Sequence, residues 1–166
     1  MFSRIMFSTM NFAARRGFAD PFQPTEIANS RSASKLAARQ RGIHGETFAY
    51  WFLRRHGYII IARNFTVAGI KGELDLVGYD REILAFVEVK LRSIQPNETS
   101  RSTPQPLPEE AVGPAKRRDL IRMAKQFLSH WRKHKGICRF DLLAIEARYG
   151  KAPIVRLHKD AFPMHI

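Results

Sequence analysis

A single α/β domain, a mixed sheet flanked by helices, is the fold class this sequence predicts. Three observations carry it. Two stretches, 43–56 and 116–133, repeat apolar residues at helical spacing, and several others are β-branched or alternate at period two. Their order along the chain is helix, three strands, helix, strand, strand. The length, 166 residues, suits one domain with one sizeable core.

The elements follow in order. From Ile43 to His56, Phe48, Phe52 and Arg55 share a side with Trp51, while Glu46, Ala49 and Leu53 form an adjoining stripe at 3 and 4 spacing. Gly57 supplies the stop. YIIIARNF, 58–65, is a strand by its isoleucines and Tyr58. After a loop around Gly69, GELDLVGYDREILAFVEVK, 72–90, reads as two strands joined by a tight turn. Residues 93–114 are rich in Pro, Ser and Thr and read as a mobile loop. In KRRDLIRMAKQFLSHWRK, 116–133, Leu120, Ile121, Ala124, Phe127, Leu128 and Trp131 make an apolar face, and Gly136 is the expected stop. RFDLLAIEA, 139–147, and IVRLHKDAF, 154–162, complete the strands.

The hairpin carries the chemistry. Strand side chains alternate faces, so Glu73, Asp75 and Val77 share one face and Leu84, Phe86, Glu88 and Lys90 share another. A turn around Tyr79 to Glu82, with Asp80 and Arg81 at its tip, sets Glu73 opposite Glu88 and Asp75 opposite Phe86. All four ionisable groups then lie on one face. Facing carboxylates repel, and burying them unpaired is costly. Lys90 neutralises one; a divalent cation would neutralise the rest. Carboxylate oxygens with no Cys and no nearby His suit Mg²⁺ or Mn²⁺ better than zinc. Such an ion stabilises charge on a phosphate, and a neighbouring lysine helps position or deprotonate water. The competing reading is a salt-bridged edge hairpin with Glu73 and Glu88 facing water.

Composition narrows the partner. Lys and Arg number 28 against 15 acids, a net charge of +13 that favours polyanions: nucleic acid first, an anionic membrane second. With one cysteine, Cys138, neither an internal disulfide nor a thiolate metal site can form, and a reducing compartment such as the cytoplasm fits. No apolar run approaches the ~20 residues of a membrane span. Residues 1–39 stand apart as a flexible basic arm, with no acid before Asp20; a targeting segment and a start codon set too far upstream are the alternatives. The folded domain is expected over 40–166.

Asp75 followed by Glu88-Val89-Lys90 resembles the core of the PD-(D/E)XK nuclease superfamily. The closer resemblance is to the YraN-like family of predicted endonucleases. It is carried by GETFAYWFLRRHGY (45–58), ARNF (62–65), KGELDLV (71–77), FVEVKLR (86–92), EEAVGPAKRRDL (109–120), RFDLLAIE (139–146) and DAF (160–162). The resemblance implies a restriction-endonuclease-like αβββαβ core and a metal-dependent, resolvase-like endonuclease acting on DNA. It implies Asp75 and Glu88 as metal ligands, Lys90 as the catalytic lysine, and Glu46 on the first helix as the acid that joins the metal site. Glu73 matches the Glu of the family's Gly-Glu-x-Asp stretch as a possible accessory group. Lys116, Arg117, Arg118, Arg122, Lys125 and Arg92 would face nucleic acid. The chain departs from the family in residues 1–40, which have no counterpart, and in the long Pro-rich loop after Arg92.

Two further readings stay open: a nucleic-acid-binding protein that keeps the fold without turnover, and an interaction protein working through its basic arm. A homodimer is compatible with either chemistry. Among lesser signals, His130 and His134 stand at i and i+4, a spacing that can bind zinc, but read better as solvated basic-face residues. Asp141 is expected to pair structurally with Arg139 or Arg63. Tyr50, Trp51 and Trp131 could stack bases, though helical spacing favours core roles for the tryptophans, and Cys138 reads as a small buried hydrophobe.

Overall fold

The computed structural model describes residues 31–94, 112–132, 134–148 and 151–164; side chains before Gly42 and those of Ile94 and Arg148 lie outside that description. The chain runs α1 (Arg31–Arg55), β1 (Ile59–Phe65), β2 (Leu74–Asp80), β3 (Ile83–Ile94), α2 (Pro114–His130), β4 (Cys138–Arg148) and β5 (Ile154–Phe162). The strands form one five-stranded sheet in sequence order. β3 and β4 are parallel and every other pair is antiparallel. A parallel pair needs a crossover, and α2 provides it.

The sheet is buried on both sides because alternate residues feed two cores. Leu76, Ala85, Val87, Leu143 and Ile145 pack against Phe48, Ala49 and Leu53 of α1. Val77, Leu84, Phe86, Phe140 and Leu142 pack against Leu120, Met123, Ala124 and Phe127 of α2. The result is three layers, helix on sheet on helix. Met123 is fully buried, although the apolar stripe read from the sequence omits it.

Several boundaries differ from the sequence expectation. α1 begins at Arg31, twelve residues before Ile43. Its exit matches the expectation: Gly57 takes φ 91°, Tyr58 N–H donates to Leu53 O at 3.1 Å and Gly57 N–H to Arg54 O at 3.3 Å. That pair of bonds is a Schellman cap, which glycine permits at no steric cost. β3 continues to Ile94 because β4 pairs with it from Leu84 to that end. α2 starts with Pro114 in its first turn and ends at His130, before the expected Gly136. Trp131 breaks the helix there: its N–H still reaches Phe127 O at 2.8 Å, while its indole donates to the Tyr79 hydroxyl at 3.2 Å. The expected arm over 1–30 and most of the expected loop, 95–111, lie outside the described residues.

The hairpin turn is Arg81-Glu82, one residue later than expected, with Asp80 paired to Ile83. Asp80 stays in the strand because Lys159 holds its carboxylate at 2.6 Å and Arg139 at 2.5 Å. Arg81 takes the positive φ, 58°, that tight hairpins require. The register therefore slides by two residues from the expected one. A slide of two preserves which face each side chain occupies, so Asp75, Glu88 and Lys90 still share a face.

Candidate functional site

One step beyond the Leu76–Val87 pair, the observed register sets Asp75 opposite Glu88 rather than Phe86. Both carboxylates are buried, Asp75 at 8% exposure and Glu88 at 3%. They sit where the start of β2 meets the middle of β3, on the α2 side of the sheet. Asp75 Oδ2 accepts the Val89 N–H at 2.7 Å. Glu88 Oε1 accepts two ammonium groups, Lys90 Nζ at 2.7 Å and Lys116 Nζ at 3.1 Å. Glu88 Oε2 is buried and accepts from no group among the described residues.

The electrostatics follow from that arrangement. Burial, and then the charge of Glu88, push the Asp75 carboxyl up to about 7, with a further push from Glu46. The Val89 N–H and the Lys116 charge pull it back only in part. Both lysines meet the same oxygen of Glu88, so their charge is shared unevenly between the two carboxylates. A buried carboxylate oxygen without a donor carries a desolvation cost of about 1–3 kcal/mol or more.

The carboxylates open onto a cleft of about 590 Å³, also lined by Glu46, Glu73, Lys90, Ser93 and Lys116. Glu46 comes to its rim from α1, half-buried, with its carboxylate held by Asn64 Nδ2 at 2.7 Å. Asn64 sits at a positive φ of 50°, which aims it at α1. Gly45 lets the helix come close enough: a Cβ there would lie 3.2 Å from the Leu91 side chain. Glu73 precedes β2 and is exposed rather than lying in the strand as expected. Among the described residues, no three His, Cys, Asp or Glu side chains converge as a metal-holding group. The structure therefore joins Asp75 and Glu88 into a pair, with Glu46 and Glu73 at the rim. Asp75 and Glu88 Oε2 fit a hard ion that keeps part of its water shell, as Mg²⁺ does; they do not form an all-protein cage.

The expected nucleic-acid residues separate. Arg118, Arg122 and Lys125 are exposed on the outer side of α2. Arg117, also exposed, donates to Val112 O at 2.9 Å and lies over the Phe162 ring, and Arg92 is half-buried on β3. Lys116 points into the cleft at Glu88, a placement the sequence reading did not assign to it. Its only signal is its position, first in the basic run two residues after a Gly-Pro helix start.

The lesser signals resolve as well. With α2 ended at His130, the two histidines no longer share a helix: His130 Nδ1 meets Gln126 O at 2.7 Å, and His134 lies against Tyr79 and Ile137 O. Asp141 is fully buried and pairs with Arg139 at 2.8 Å, accepting also from Tyr58 Oη at 2.9 Å. Burial and the Asp141 charge push the Tyr58 hydroxyl well above its ordinary range. Trp51 and Trp131 are half-buried against the two cores. Cys138 is half-buried rather than buried, at the start of β4.

The description "Uncharacterised protein family UPF0102" belongs to the family model that matches residues 45–145. The chain belongs to this family. UPF0102 proteins of three bacteria illustrate the likeness. That of Koribacter versatilis is 39% identical over 121 residues, covering 73% of this chain and 78% of its own length. That of Symbiobacterium thermophilum is 38% identical over 125 residues, 75% of this chain and 98% of its own. That of Pseudomonas syringae is 36% identical over 127 residues, 75% of this chain and 94% of its own. The UPF0102 segment takes in Glu46, Glu73, Asp75, Glu88, Lys90 and Lys116, so the cleft-lining acids and lysines named above fall within the part shared with the family. No helix among the described residues is long and apolar enough to cross a membrane.

Proposed function

We propose that this UPF0102 chain is a metal-dependent endonuclease of the PD-(D/E)XK type, hydrolysing phosphodiester bonds in DNA. The observation that carries the reading is Glu88 Oε2, a buried carboxylate oxygen with no donor among the described residues, beside a second buried carboxylate. Such a pair is a liability in a structural hairpin and an asset in a cation site. Asp75 and Glu88 would hold Mg²⁺ or Mn²⁺. When bound, that ion supplies positive charge against the charge developing on a phosphate and makes water more acidic.

The chain's own groups divide the remaining work. The Val89 N–H fixes Asp75, and Lys90 fixes Glu88 from the same strand. Lys90, partly exposed at the cleft, would orient an attacking water and offset charge on the phosphate as an ammonium donor. Arg118, Arg122 and Lys125 offer phosphate contacts along α2. The net charge of +13 supports a polyanionic substrate.

The test is cleavage of a labelled panel of duplex, single-stranded, flap and four-way DNA, with Mg²⁺ or Mn²⁺, by wild type and Asp75→Asn. Metal-dependent cutting that disappears in the variant is the expected result. Binding with a steep salt dependence by both proteins, and cutting by neither, would replace this reading with a non-catalytic nucleic-acid-binding protein.

A further inference from the structure

We propose that Lys116 is the exchangeable cation of the site: it neutralises Glu88 while no divalent ion is bound, and passes to a substrate phosphate once one is. The proposal rests on the nuclease reading above and goes beyond it by assigning a second lysine, from a different element, to the same centre.

The asymmetry at Glu88 is the starting point. One oxygen takes both ammonium groups and the other takes no donor among the described residues. A divalent ion at Oε2 would draw on the same carboxylate charge and loosen the hold on the lysines. The two lysines are not equally free to leave. Lys90 is anchored two residues away on the same strand face, at 2.7 Å and 27% side-chain exposure. Lys116 reaches across from α2, at 3.1 Å and 34% exposure, so it is the longer and more solvent-facing contact.

Lys116 also stands in the right place to receive a phosphate. It lies in the first turn of α2, two residues after Pro114, where backbone N–H groups lack helical partners and the helix end favours anions. Its neighbour Arg117 is committed to the Val112 carbonyl and the Phe162 ring. Lys116 is therefore the basic side chain of that turn that faces the acids.

A merely structural ion pair, pinning α2 to β3, makes a different prediction from an exchangeable one. Removing a competing cation tightens binding of a divalent ion, whereas loosening a structural tie does not. The experiment is Mn²⁺ titration of the full chain without DNA, followed by electron paramagnetic resonance, for wild type, Lys116→Met, Lys116→Gln and Lys116→Arg. A second readout is the affinity for labelled duplex DNA with Ca²⁺ and with chelator. The expected result is Mn²⁺ binding about two- to fivefold tighter in the Met and Gln variants, the scale of one partly exposed ion pair. Those variants lose most of the DNA affinity that Ca²⁺ adds to wild type, and the Arg variant keeps it. Folded Met or Gln variants with unchanged or weaker Mn²⁺ binding overturn the proposal, as does a full Ca²⁺ gain in DNA affinity. Wild type that takes up no Mn²⁺ overturns the nuclease reading and this proposal together; normal uptake with an indifferent variant overturns this one alone.

Discussion

Replacing Asp75 with Asn should stabilise the metal-free protein at alkaline pH. Asp75 is held up near 7 by burial and by Glu88, against an ordinary value of 3.8. The folded state thus binds this proton more tightly than the unfolded chain does. The contribution of this group to stability is complete below about pH 4 and is lost as pH rises to about 7, where the buried carboxyl ionises. A rise of about three units corresponds to at most about 4 kcal/mol. Because the burden is shared with Glu88, about 2 kcal/mol is the expected gain from Asn, which keeps an acceptor for the Val89 N–H. In a chain of this size that is about 4–8 °C in Tm. The assay is thermal unfolding by circular dichroism in chelator at pH 8 and at pH 4.5, and at pH 8 with Mn²⁺. The Asp75→Asn variant should melt higher at pH 8, come within about 2 °C of wild type at pH 4.5, and gain nothing from Mn²⁺, which should stabilise wild type. A variant that melts lower than wild type at pH 8 would refute the argument that the ionised acidic pair is under strain.

Three other outcomes follow from neighbouring features. Gly78→Ala should cost about 2 kcal/mol in urea unfolding, because its Cβ would lie 2.9 Å from Ile59 O, a backbone atom that cannot step aside. Arg139→Leu should cost about 3–5 kcal/mol by the same measurement, since it leaves Asp141 charged and fully buried with only neutral donors. Replacing Arg118, Arg122 and Lys125 together with Gln should flatten the slope of log DNA affinity against log salt by about 2–3 while leaving the Tm within about 2 °C.

Element types were legible because their periodicities are strong. The stripe of α2 and the alternation of β2 and β3 follow from which residues the two cores must bury. The face shared by Asp75, Glu88 and Lys90 was legible for a more robust reason: parity survives a slide of two residues, so an error in the turn did not move any of them across the sheet. The turn itself was not legible, because Asp80 is kept in strand by Arg139 and Lys159, partners 59 and 79 residues away. The end of α2 was hidden for a similar reason, since Trp131 leaves the helix to reach Tyr79, 52 residues earlier. Lys116 shows the same limit at the site. A basic run on a helix reads as a solvated or phosphate-facing surface; only the docking of α2 on the sheet turns its first lysine onto Glu88. Glu46 was placed on the correct helix, but its tie to Asn64 depends on a local positive φ that the sequence does not announce.

The central claim is that the buried Asp75–Glu88 pair is built for a divalent cation. The most direct measurement is anomalous diffraction from crystals of the full chain soaked in Mn²⁺. The account predicts one peak between Asp75 and Glu88 Oε2, absent from crystals of the Asp75→Asn variant. A Mn²⁺ peak elsewhere on the chain, or none beside Glu88 at millimolar Mn²⁺, would contradict it.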